Sequence, residues 1–186
     1  MTEAELVRAA RAGDRDAFAD LVRAHHARVL GLCLGMLGDP AAADDAAQEA
    51  FLSAWKSLAS FKGDSAFGTW VHRIAANKCL DSRRRMGRRA EDSLEAILEG
   101  GGEPGPSVGA GPERAAEAAD LAARVLGSLS GEYRLILTLR EVQGLSYEEI
   151  MAVMDCSLDS VKARLRRARE AALESLRHFS EGGGVQ

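Results

Sequence analysis

Apolar residues recur along this chain at steps of three and four, the period of one helix face. Glu3 to Arg11 reads as a short amphipathic helix stopped by Gly13, and Asp14 suits the N-cap of a longer one running from Phe18 and Leu21 through Leu32, Cys33 and Leu37. Gly38-Asp39-Pro40 ends that helix and opens the next, with proline where a helix beginning tolerates it. The third helix, Ala41 to Leu58, keeps Ala46, Ala47, Ala50, Phe51, Ala54, Trp55 and Leu58 on its buried side. After the loop Phe61-Lys62-Gly63-Asp64-Ser65 a fourth helix is expected to end near Met86-Gly87. Phe67, Trp70, Val71, Ile74, Ala75 and Leu80 cover the core there, leaving His72, Arg73, Asn77, Lys78, Arg83 and Arg84 exposed.

The pattern breaks over 91–112. Leu94, Ile97 and Leu98 suit a brief helix, but the Gly/Pro-rich run after them cannot hold one. As a flexible coil this linker would span on the order of 25 Å. Periodicity resumes with helices over Glu113 to Leu126, Ser130-capped Glu132 to Val142, and a short segment opened by the capping box Ser146-Tyr147-Glu148-Glu149. A long helix, about Leu158 to Arg177, follows with Val161, Leu165, Ala168, Ala172, Leu173 and Leu176 facing inward. The tail 181–186 is expected to be disordered. The expected fold is all-α: domain 1–90, linker 91–112, and a second small helical domain, 113–180, built as a helix-turn-helix.

Composition narrows the class. The 186 residues include few aromatics and carry a formal net charge of −4, which argues against indiscriminate coating of nucleic acid. The charge is uneven: acids crowd 39–49 and 91–120, whereas Arg and Lys crowd 73–89 and 162–169. Cys33, Cys79 and Cys156 form no CxxC pair, so neither a disulfide framework nor a zinc site is expected, and three thiols fit a reducing cytoplasm. No signal-peptide core or membrane-length apolar run is evident, so a cytoplasmic protein is expected.

Three groups of side chains invite a chemical reading. His25-His26 point about 100° apart on a helix and have no carboxylate at a metal motif's spacing, so no metal is expected. Asp44, Asp45, Gln48 and Glu49 have no convergent histidine or lysine, which leaves a solvated face or a protein-docking face in place of catalysis. Phe61 to Arg89 joins basic side chains, an amide and aromatics, suiting a nucleic-acid strand; a buried helix with a solvated basic tail is the plainer alternative. In the second domain, Lys162, Arg164, Arg166, Arg167 and Arg169 beside a tight turn suit a duplex reader, with a generic helical hairpin as the plainer alternative.

The two halves together resemble a sigma factor of bacterial RNA polymerase, of the extracytoplasmic-function (ECF) group. DDAAQEAFLSAW resembles the polymerase-binding segment, FKGDSAFGTWVHRIAANKCLDSRRR the minus-ten segment, and LTLREVQGLSYEEIMAVMDCSLDSVKARLRRARE the minus-thirty-five reader. The resemblance implies that Asp45, Gln48 and Glu49 dock on core RNA polymerase. It implies that Phe61, Lys62, Ser65 and Asn77 form a pocket for a base flipped from the melted non-template strand, that Trp70 stacks at the fork, and that Arg73, Lys78, Arg83 and Arg84 track the backbone. Lys162, Ala163 and Arg166 would reach base edges of duplex promoter DNA, and Arg140, Ser160 and Arg167 its phosphates. Two departures stand out: Val71 follows Trp70 where housekeeping members carry a second aromatic, and Leu158-Asp159 replace a small residue and glycine. The family further implies an anti-sigma factor as a partner, no cofactor, no catalysis and no membrane insertion. The competing reading is a stand-alone helix-turn-helix regulator whose N-terminal domain senses a ligand or binds a protein.

Overall fold

The computed structural model describes the backbone over residues 1–97 and 113–181, and side chains over 1–87 and 120–179. Most of the expected linker, 98–112, and all but the first residue of the expected tail lie outside the described residues. Among the described residues every regular element is helical: α1 (Glu3–Arg11), α2 (Arg15–Leu37), α3 (Pro40–Ser57), α4 (Phe67–Ile97), α5 (Glu113–Ser128), α6 (Gly131–Leu137), α7 (Tyr147–Met154) and α8 (Leu158–Glu181). A 3-10 turn, Leu58–Ser60, follows α3, and a π-helical turn, Thr138–Val142, continues α6.

The helix beginnings follow local chemistry. Thr2 with Glu5 and Ser146 with Glu149 make reciprocal capping boxes, while Asp14 and Asp39 accept from first-turn amides. One expected end fails: α4 runs through Gly87 to Ile97, because a single mid-helix glycine costs only about 1 kcal/mol and the strong helix formers around it continue the pattern.

α2, α3 and α4 pack around Leu21, Leu32, Met36, Phe67 and Val71, with α1 laid across α2. α5 to α8 enclose Ile136, Leu139, Ile150, Val161 and Leu165. Leu173, expected inward, is 54% exposed. Cys33 and Cys79, distant in sequence, meet inside the first core; hydrogen bonding to Cys33, then burial, pushes the Cys79 thiol up and keeps it neutral.

The two halves are not merely tethered. α6, the π turn and α7 lie against α2 and α4. Gly31 and Gly35, one turn apart on α2, make the close approach possible: a Cβ on Gly35 would stand 2.6 Å from the Thr138 methyl carbon, and one on Gly31 2.9 Å from the Gln143 amide nitrogen. Beside them the last carbonyls of α2, which have no intrahelical donors, receive side chains from both halves. Arg134 Nε donates to Gly35 O at 2.7 Å, and Arg83 donates to Met36 O and to Leu129 O, each at 3.2 Å. Arg134 is only 5% exposed; burial, then the nearby Arg83 charge, lowers its pKa to about 10, so it stays charged at neutral pH. Arg73 pairs with Asp155 at 3.0 Å across the same seam. The seam also corrects the expectation for His72, which is 2% exposed: the second half covers the face that periodicity assigned to solvent.

Gly35→Leu should overpack this seam at a cost of about 1–3 kcal/mol. X-ray scattering should then show a larger radius of gyration than for the native chain, and an unchanged radius would show that the glycine is not what seats the second half. His72 predicts a pH dependence. Burial foremost, helped by the charges of Arg28 and His25, lowers its pKa below 6.5 against the opposing hydrogen bond to Gly68 O. The unfolded chain therefore binds the proton more readily, so this stability is complete above the unfolded value and is lost as pH falls below it. Melting curves between about pH 7.5 and about pH 5.5 should show a smaller loss of Tm for His72→Gln than for the native protein. Parallel losses would refute the assignment.

Candidate nucleic-acid interface

α3 turns Asp45, Gln48 and Glu49 outward together, as their i, i+3, i+4 spacing requires. Gln48 donates to Asp44 at 2.6 Å, and Glu49 lies 3.7 Å from the Lys78 ammonium. Leu52, one turn further on the same face, is 60% exposed and was missed by the sequence reading, although its i+7 position from Asp45 could have found it. It borders a groove of about 460 Å³ floored by Phe18, Phe51 and Trp55, with the Phe18 and Trp55 rings 4.9 Å apart. A face that pairs carboxylates with an exposed leucine and an aromatic groove offers both charge and apolar area to a protein surface.

The loop before α4 places its residues unevenly. Phe61 is buried, its ring 4.9 Å from Trp70, whereas Lys62, Gly63 and Asp64 are exposed and Ser65 is half-buried. Gly63 sits at φ 83°, in the left-handed region that favours glycine. Trp70 is half-buried and held by Phe61 and Phe67, so its remaining face can receive a base. Val71, the residue after Trp70, is fully buried and offers no surface beside it. Asn77 is exposed but lies ten residues beyond Phe67, about 15 Å along the helix, and does not line the cavity beside the loop. That cavity is walled instead by α1, through Glu3, Arg8 and Arg11, none of which the sequence reading singled out. No short motif links them to the loop; only packing of α1 brings them there.

The four cations expected to track the strand backbone all have intramolecular partners. Arg73 has Asp155, Lys78 has Glu49, Arg84 has Asp81 at 3.2 Å, and Arg83 has the two helix-end carbonyls. The first three are surface pairs contributing about 0–1 kcal/mol each, weak enough for a phosphate to displace. Arg83 is different, since withdrawing it would strand buried carbonyls at about 1–3 kcal/mol each.

In the helix-turn-helix, Asp155 caps α7 in a left-handed conformation (φ 52°), and α8 starts three residues later, at Leu158. Lys162, Arg166 and Arg167 are exposed, and Ala163 and Ser160 half-exposed, on the first three turns of α8. Arg166 pairs with Glu170, at 3.0 Å. Arg140 is less available: it donates to Leu145 O at 2.7 Å and lies 5.0 Å over the Tyr147 ring, clamping the π turn to α7. Arg169 is held by Glu141 at 2.7 Å. Among the described residues no cluster of His, Cys, Asp or Glu could hold a metal ion, and no helix is long and apolar enough to cross a membrane.

Comparison with known proteins gives this arrangement a family. Residues 21–89 match the Sigma-70 region 2 model, and residues 119–171 match Sigma-70, region 4. The RNA polymerase sigma-H factor of Pseudomonas aeruginosa is 39% identical over 178 residues, covering 92% of each chain. The ECF RNA polymerase sigma-E factor of Escherichia coli K12 is 39% identical over 179 residues, again 92% of each chain. Among solved structures, CnrH in complex with the cytosolic domain of CnrY matches with a TM-score of 0.69 and 26% identity, over 93% of this chain and 96% of that one. RpoE of Bartonella quintana, in complex with the anti-sigma factor NepR, shares the fold at a TM-score of 0.64 and 24% identity, over 86% of this chain and 96% of its own. These matches span both halves of the chain, and the first half takes the Sigma-70 region 2 model. The chain belongs to the extracytoplasmic-function group of RNA polymerase sigma factors.

Proposed function

We propose that this sigma factor acts as a bipartite initiation factor. Residues 1–90 bind core RNA polymerase and the minus-ten element, residues 113–180 read the minus-thirty-five element, and 91–112 tether the two. The observation that carries the reading is the open basic face of α8, where Lys162 and Arg166 stand one turn apart with Ala163 between them on a helix-turn-helix. That spacing suits two adjacent base pairs in a major groove, with Arg166 able to make a bidentate contact to guanine. Ser160 and Arg167 flank it for phosphates, and Arg140 contributes only where its contact to Leu145 O is exchanged.

On the first half, Asp45, Gln48 and Glu49, joined by Leu52, are the polymerase-docking face. Lys62, Ser65 and Trp70, set by Phe61, meet the melted strand. Arg73, Lys78 and Arg84 follow its backbone, Asn77 contacts it further along α4, and Arg83 takes part only if the seam opens. Full use of Arg73 likewise requires Asp155 to release it, so the docked arrangement opposes engagement with promoter DNA. Two similar solved factors were captured with CnrY and with an anti-sigma factor, which supports such a partner here. The protein works in the cytoplasm, without cofactor and without catalytic chemistry of its own.

Transcription in vitro with purified core polymerase over a promoter library is the direct test. Lys162→Ala or Arg166→Ala should reduce initiation according to upstream sequence, by roughly fivefold or more at the preferred sites; equal loss at all promoters would refute base reading. Substituting alanine for Asp45, Gln48 and Glu49 together should abolish capture of core polymerase while the melting temperature holds, and undiminished capture would remove the docking assignment.

A further inference from the structure

α1 crosses the loop that precedes α4, and together they enclose a cavity of about 320 Å³. This is at the lower end of small-ligand sites and matches one base better than a stacked pair. Val7, Phe61 and Phe67 give it apolar walls, and the two phenylalanine rings continue into the Trp70 cluster. Its rim carries three cations, Arg8, Arg11 and Lys62, and one carboxylate, Glu3. Apolar walls under a cationic rim suit an unstacked base with its flanking phosphates.

Glu3 is not a loose surface acid. Its Oε2 lies 2.9 Å from His25 Nε2, and His25 is fixed in turn by Phe67, 5.4 Å between ring centroids, and by Gly68. A Cβ on Gly68 would stand 2.9 Å from His25 Cε1, so only glycine lets the ring lie this close. The imidazole occupies one side of the carboxylate and leaves its other acceptor sites for a ligand donor.

We propose that α1 completes the pocket for a single unpaired nucleobase, with Glu3 selecting a base that carries an amino group and Arg8 and Arg11 holding its phosphates. Adenine, cytosine and guanine each offer an exocyclic amine to a carboxylate. Thymine offers one ring N–H between two carbonyl oxygens, which the carboxylate repels. The inference rests on the proposed contact between the melted strand and this loop. It adds the residues and the class of base.

The test uses holoenzyme assembled from the full chain and core polymerase, selecting from promoter duplexes with a randomised unpaired non-template segment. The native factor should deplete thymine about tenfold at one unpaired position. Glu3→Gln, whose amide can donate as well as accept, should cut that discrimination to about twofold or less at that position alone. Arg8→Ala combined with Arg11→Ala should weaken binding about equally for every base there and lower the salt slope by roughly one to two. Undiminished core-polymerase affinity verifies the fold of each variant. Thymine discrimination that survives Glu3→Gln overturns the role of α1 while leaving the initiation-factor reading standing. A native holoenzyme with no base preference anywhere in the unpaired segment overturns both.

Discussion

The buried carbonyl end of α2 is the constraint on which the joined structure depends. A helix leaves its last carbonyls without donors, and here they face another part of the chain instead of water. Arg83 reaches them from α4 and Arg134 from α6, each placing a positive charge at the negative end of the α2 dipole. Burial first, and then repulsion between the two cations, lowers the pKa of Arg134. The carbonyls they satisfy offset that cost. Gly31 and Gly35 then let the π turn come within contact of the α2 backbone, so charge and shape converge on the same end of one helix.

That arrangement sorts the basic residues of α4. A run such as Arg83-Arg84-Arg85 looks uniform as a sequence, yet its members do different work. Arg84 pairs with Asp81 on the surface and can exchange it for a phosphate, whereas Arg83 bridges the ends of α2 and α5. Lys78 links the α4 surface to Glu49 on the outward face of α3, so the charges of the two faces are joined. Arg73 and Asp155 join α4 to the turn before α8, so the seam holds the guanidinium that the proposed strand contact would use.

The loop before α4 gains from its neighbours in the same way. Phe61 anchors it, Gly63 turns it, and Trp70 stands on Phe61 and Phe67. α1, which by periodicity is only a short amphipathic segment, supplies the opposite wall. His25, for which sequence spacing offered no metal motif, contacts Glu3 at 2.9 Å.

Much of this was legible in the residues alone. Three-and-four spacing and caps such as Asp14, Asp39 and Ser146 placed the helices, because helix formation and capping are local. The i, i+3, i+4 set at Asp45, Gln48 and Glu49 and the basic turns of α8 were readable for the same reason: residues on one helix face keep their relation wherever the helix goes. What local rules could not decide was which exposed face another helix would cover. His72 became buried, Leu173 stayed exposed, Arg83 became a cap, and Asn77 does not line the cavity between α1 and the loop. Those outcomes depend on contacts between segments far apart in the chain, where the approach of two glycines on α2 or the lie of α1 outweighs any pattern within a single helix.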